Sequence, residues 1–138
     1  MANEELRALE LFSRTPYGRI AVSMRALPFV TVARHIVVDR KLILRLHSGF
    51  GYQQACDGSV VAYGADNIDS GSDDVWSLQC VGTAHRVEPG RRELDLFGSM
   101  PRYADDQPFE PAYLRIEPQL VTVHRLQGVS ARQCEHSA

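Results

Sequence analysis

Through much of the first half of the chain, apolar side chains recur at every second position, the period of a strand with one packed face. In "RIAVSM" Ile20, Val22 and Met24 alternate with other residues, and in "LILRLH" Leu42, Leu44 and Leu46 do the same. Between them, "PFVTVARHIVVD" sets Val30, Val32, Ile36 and Val38 on one face. The turn "DRK" then predicts a hairpin with a short loop. Ahead of these strands the period changes. Leu6, Leu9 and Phe12 step by three behind Asn3, with Glu4 and Glu5 in the first turn, which predicts a capped helix ending before Pro16 and Gly18.

The second half continues in the same manner. "SVVAYGA" reads as a short buried strand and "DNIDSGSDD" as a polar, acidic loop. "WSLQCVGTAHRV" puts Trp76, Leu78, Cys80, Gly82 and Ala84 on one side, and a glycine inside such a strand predicts a bulge or a close backbone approach. "PGRRELDLFGSM" predicts a short helix burying Leu94 and Phe97, and "AYLRIEPQLVTVHRL" one or two final strands broken near Pro118. The class is mainly β: about six strands, an N-terminal helix and a short helix between late strands predict an antiparallel barrel or sandwich whose open ends are covered by helices.

The chain has 138 residues and no internal repeat or linker, so residues 1–138 are read as a single domain with a flexible tail from about residue 128. Hydrophobic residues at 44% and charged residues at 23% fit a globular protein. A net charge of -2 gives no general attraction to nucleic acid or anionic lipid, so neither is expected as a partner. "MANEELRALELF" carries glutamates where a secretory signal has basic residues, and no apolar run nears the roughly 20 residues that span a bilayer. A cytoplasmic location is expected. Cys56, Cys80 and Cys134 are far apart and form no CxxC pair, which argues against a disulfide framework and a thiolate zinc site.

Candidate chemistry gathers in two places. Arg34 is in phase with Val30, Val32, Ile36 and Val38, so if that face is the core its guanidinium requires an anion, either a protein carboxylate or a ligand phosphate. The stretch "LRLHSGFGYQQACDG" ends a strand at His47 and Ser48 and then places Gly49 and Gly51 where backbone N–H groups can turn outward. That is either an anion cradle or a simple turn, since it lacks the third glycine of a dinucleotide fingerprint and the GK[ST] of a P-loop. The histidines form no HxH or HExxH pair, the acidic loop lacks EF-hand spacing, and no GxSxG occurs. No metal is assigned.

Three segments in order resemble the pyridoxamine 5'-phosphate oxidase-like proteins, the flavin-binding split β-barrels. "SRTPYGRIAVSM" is similar to their opening helix end and first strand, and "VWSLQCVGTAHRVEP" to their "WSVxVxGxAxxVxD" strand. "LRLHSGFG" resembles their phosphate strand and loop, in the "FHSAxxGxK" form of the nitroimidazole-reductase branch. The likeness runs from about Leu9 to Leu126. It implies a six-stranded split barrel that forms a homodimer with one flavin mononucleotide (FMN) in each of two interface clefts. Thr31, Val32, Ala33 and Arg34 would run along the flavin ring or ribityl chain. His47 and Ser48 would meet the phosphate, with Tyr52, Gln53 and Gln54 in the loop beyond, and Trp76 and Ser77 would line the cleft.

The implied activity is FMN-dependent transfer of hydride or electrons to or from a small organic substrate, with the flavin carrying the chemistry and His47 the candidate acid or base. Two alternatives stand beside it: a deazaflavin-dependent reductase, and a non-catalytic flavin- or haem-binding dimer. The sequence departs from the family pattern at two points. "GYQQA" lacks the usual lysine after the glycine, so Arg34, Arg45 or Arg25 must neutralise the phosphate or FMN affinity falls. "VTVHRLQGVSARQCEHSA" lacks the arginine and histidine motif that holds pyridoxamine 5'-phosphate, which is therefore not the expected substrate.

Overall fold

The computed structural model describes residues 3–128. The tail expected from about residue 128, with Cys134 and His136, lies outside the described residues. In chain order the elements are α1 (Asn3–Phe12), β1 (Tyr17–Met24), β2 (Leu27–Val38), β3 (Lys41–His47), α2 (Tyr52–Cys56) and β4 (Val60–Asp66). They continue with β5 (Val75–Arg86), α3 (Arg91–Phe97), β6 (Tyr103–Ala104), β7 (Gln107–Pro108) and β8 (Pro111–Leu126). A single 3-10 turn, Gly49–Gly51, joins β3 to α2.

Six strands close into an antiparallel barrel in the order β1-β2-β3-β8-β5-β4, while β6 and β7 form a separate hairpin. This is the predicted class, a six-stranded split barrel with an N-terminal helix and a short helix between late strands. Two-residue turns make the early hairpins. Arg25 and Ala26 between β1 and β2, and Asp39 and Arg40 between β2 and β3, all adopt positive φ, the backbone that matches strand twist. The inward residues Ile20, Val22, Leu42, Leu44, Leu46 and Tyr63 meet Ala8, Leu9, Leu11 and Phe12 of α1, which plugs one end. The predicted stripe of α1 is shifted accordingly, because Leu6 is exposed.

β2 has the opposite orientation to the one its valines suggest. Ala33 and His35 point inward, while Val30 and Val32 are exposed on the outer face and Arg34 lies between burial and exposure there. Ile36 is buried on that same outer face, because α3 covers it and packs it with Ile43 and Phe97 in a satellite cluster. The apolar period was therefore that of a partly covered outer face. Leu94 is likewise exposed rather than buried, and Phe97 alone anchors α3.

Late in the chain, β8 is one continuous strand across Pro118, with the register shift taken up opposite it between Val81 and Gly82. A Cβ on Gly82 would collide with the Glu117 carbonyl, so the glycine permits the close approach that its position predicted. β4 alternates instead of being buried throughout: Val61, Tyr63 and Ala65 face the core while Val60 is exposed. Among the described residues no helix is long and apolar enough to cross a membrane.

Candidate functional site

The Asp39 and Arg40 turn fixes the register of β2 against β3, pairing Val38 with Lys41 and Arg34 with Arg45. Both arginines therefore lie side by side on the outer face, next to the C-terminal end of α3. Arg34 Nη2 donates to the Leu96 carbonyl at 3.2 Å, and its Nη1 donates to the carbonyls of Pro16 and His35. Arg45 Nη1 and Nη2 donate to the carbonyls of Gly98 and Ser99 at 3.2 and 2.9 Å. Its guanidinium carbon sits 5.1 Å from the centre of the Phe97 ring. Cations suit this place, because the last carbonyls of a helix carry partial negative charge and lack intrahelical donors.

Arg34 thus lies on the outer face rather than in the core, and carbonyls take the place of the protein carboxylate expected of it there. Among the described residues, no carboxylate lies within ion-pair distance of Arg34 or Arg45. Arg45 is only 3% exposed, and its Nε is buried with no hydrogen-bond partner. Carbonyl dipoles satisfy donors without cancelling charge, so among the described residues neither guanidinium has a carboxylate in direct contact to neutralise it.

A cleft of about 290 Å³ opens beside them. Thr31, Val32, Ala33, Arg34, Arg45 and His47 form one wall. Tyr17, the cross-strand neighbour of Arg34, adds to that wall, and the segment around β6 and β7, with Tyr103, Asp105 and Phe109, completes the lining. Five residues singled out by the sequence, Thr31, Val32, Ala33, Arg34 and His47, therefore share one cavity. The His47 ring packs 5.6 Å from Phe109, and its Nδ1 accepts the Glu110 backbone N–H at 3.1 Å. In the neutral ring the proton accordingly sits on Nε2, which makes His47 a donor.

The remaining sequence candidates lie elsewhere. Ser48 turns away from that cleft: its hydroxyl donates to Glu110 Oε2 at 3.2 Å and its N–H to the Glu110 carbonyl at 2.9 Å. Ser48 and Gln53 line a second cleft of about 430 Å³ with Arg86, Glu88 and Glu110. Tyr52 packs edge-on to Phe29, 6.2 Å between centres, and Gln54 is exposed. Trp76 packs on the core at the start of β5, and Ser77 pairs across to Asp66 and His124. Neither lines either cleft.

Sequence reasoning missed Glu110, the aromatic wall and a buried polar pair. His35, 1% exposed, donates from Nε2 to the Phe12 carbonyl at 2.6 Å, and its Nδ1 lies 2.5 Å from the Tyr63 hydroxyl. The Ala33 carbonyl lies 3.1 Å from the same hydroxyl, whose single proton is shared between that oxygen and Nδ1. Burial, more than any neighbouring charge, lowers the His35 pKa and raises that of Tyr63, so both are neutral. The signal lay in position: His35 is a polar residue on the inward register of a strand whose other face carries the valines.

A family model described as pyridoxamine 5'-phosphate oxidase matches residues 4–125. The uncharacterized protein Rv0080 of Mycobacterium tuberculosis is 30% identical over 127 residues, covering 86% of this chain and 80% of that one. Among solved structures, an FAD binding protein from Mycobacterium smegmatis superposes with a TM-score of 0.70 at 19% identity, covering 92% of this chain and 98% of its own. The flavocytochrome Anf3 from Azotobacter vinelandii gives 0.67 at 13% identity, covering 92% and 70%. The likeness of those two structures is one of fold. With nearly its whole length matched by the family model, and with the barrel that the motifs implied, this chain belongs to the pyridoxamine 5'-phosphate oxidase family.

Proposed function

We propose that this chain is a cytoplasmic, homodimeric flavoprotein that binds FMN in the cleft beside Arg34 and Arg45 and acts as an oxidoreductase on a small organic substrate. The observation that carries the reading is the pair of arginines at the wall of that cleft with no carboxylate partner among the described residues. A phosphate is the complement such a pair lacks, and guanidinium groups recognise it by charge-assisted hydrogen bonds. The arginines would replace the missing loop lysine.

The residues present fit the cofactor. Arg34 and Arg45 would hold the phosphate, His47 would offer a donor from Nε2, and Tyr17, Tyr103 and Phe109 supply aromatic surface for a planar ring. When bound, the flavin would supply the hydride or electron chemistry. The chain itself orients the ligand, fixes the tautomer of His47 through Glu110, and covers one side of the cleft with the hairpin of β6 and β7.

An outward row supports the dimer. Val30, Ala21, Ala62, Val81 and Leu120 are cross-strand neighbours in succession over five strands, with no charge among them. Val30 is 61% exposed and Leu120 56%, so the row suits a second copy of the same surface.

The test is an ultraviolet-visible spectrum of the purified protein followed by titration with FMN under fluorescence. Flavin bands or saturable quenching that weaken in Arg34→Ala support the reading. A Soret band without flavin peaks, or saturation by a deazaflavin alone, replaces it with one of the two alternatives.

A further inference from the structure

We propose that Glu110 closes the Ser48 turn to phosphate and thereby confines an anionic ligand group to the arginine side of the site. The inference rests on the flavin reading for its ligand, and it concerns a residue that the sequence did not single out.

The turn after β3 has the composition of an anion cradle, with a hydroxyl, small residues and backbone N–H groups. One residue has already taken its first donors. Ser48 gives its hydroxyl proton to the Glu110 carboxylate, 3.2 Å, and its N–H to the Glu110 carbonyl, 2.9 Å. Glu110 in turn gives its own N–H to His47 Nδ1, 3.1 Å. These three bonds extend the β3 and β8 pairing, whose last register pair is His47 with Pro111, by one further rung. Two of the three use the backbone of Glu110, so its side chain is free to change without undoing the rung.

The carboxylate then sets the sign of its surroundings. A phosphate oxygen within hydrogen-bond reach of Ser48 Oγ would stand roughly 5 to 6 Å from a like charge, a repulsion that weakens binding about tenfold where solvent screening is incomplete. The cleft on that side carries Arg86 against Glu88 and Glu110. The cleft on the other side of the Phe109 and Glu110 step carries Arg34 and Arg45 against Asp105. The two cavities thus have opposite polarity, and the boundary between them is the Ser48 to Glu110 contact.

The test compares dissociation constants for FMN and riboflavin in the native chain and in Glu110→Gln, Glu110→Ala and Ser48→Ala, with thermal stabilisation by inorganic pyrophosphate measured on the same four proteins. The expected result is that both Glu110 variants bind FMN about tenfold more tightly with riboflavin unchanged, that Glu110→Ala gains more stabilisation from pyrophosphate, and that Ser48→Ala alone changes nothing. Combining Ser48→Ala with Glu110→Ala should cancel the gain. Loss of FMN or pyrophosphate binding in Ser48→Ala overturns the inference, because the hydroxyl would then already serve the phosphate. Equal behaviour of all four proteins overturns it as well. If none binds either flavin, the flavin reading fails, and the pyrophosphate arm alone decides the role of Glu110.

Discussion

Arg34 and Arg45 stand directly opposite each other on β2 and β3, and together they hold the carbonyls of Leu96, Gly98 and Ser99 at the end of α3. The two arginines are not equivalent. Arg45 is buried and stacked on Phe97, whereas Arg34 is half-buried and nearer solvent. Replacing Arg45 by Met strips two carbonyls of their donor and should cost about 2 kcal/mol in urea unfolding. Arg34→Ala should cost under about 1 kcal/mol in the same assay but weaken FMN roughly tenfold to a hundredfold. Unchanged FMN affinity in Arg34→Ala, with stability lost, would make Arg34 a fastener for α3 and nothing more.

His35 links stability to pH. Burial lowers its pKa in the folded protein from the ordinary 6.5, so across the interval between the two values the unfolded chain binds more protons. The stability this neutral histidine contributes is complete above about pH 6.5 and is lost as the pH falls below it, with a slope of at most about 1.4 kcal/mol per pH unit. Tyr63→Phe removes the hydroxyl facing Nδ1 and should cost about 1 to 3 kcal/mol at pH 8. Urea midpoints of the native chain and of His35→Gln at pH 8 and pH 5.5 check the first statement: the native midpoint should fall by more.

Gly82 meets backbone rather than a side chain that can swing aside. A Cβ there runs into the Glu117 carbonyl oxygen and carbon and lies 3.2 Å from a methyl of Ile116. Gly82→Ala should therefore destabilise by about 3 kcal/mol or prevent folding, as read by thermal denaturation. A full-height transition at the native temperature would mean that the bulge relaxes freely.

The outward row from Val30 to Leu120 has Ala62 at its middle. Ala62→Arg puts a charge in the centre of the proposed subunit contact while leaving the barrel interior untouched. Light scattering after size exclusion should give twice the chain mass for the native protein and the single chain mass for the variant. Equal masses in both would remove this face as the contact.

Much of this architecture was legible because local chemistry and barrel geometry agree. The turn at Asp39 and Arg40 fixed the β2 and β3 hairpin, Gly82 announced its bulge, and counting back from the turn pairs Arg34 with Arg45. What misled was β2 itself, whose valines mark the outside. The period of two reveals that alternate residues share a face, yet it does not say which face is the core when both are partly covered. His35 is buried because Phe12 and Tyr63 satisfy it, and those partners come from α1 and β4, distant in sequence. Glu110 was invisible for the same reason: it meets Ser48 only once β8 returns beside β3.

The barrel's circumference is unevenly fastened. β5 and β8 run together for twelve residue pairs, whereas β1 and β4 close the ring through three: Arg19 with Gly64, Ile20 with Tyr63 and Ala21 with Ala62. A hoop so joined springs at its clasp, so amide exchange should be fastest along those three rungs and slowest between β5 and β8. The β1 and β2 hairpin that swings on opening carries Thr31 and Val32, so the give in the clasp is also the give in the mouth of the cleft.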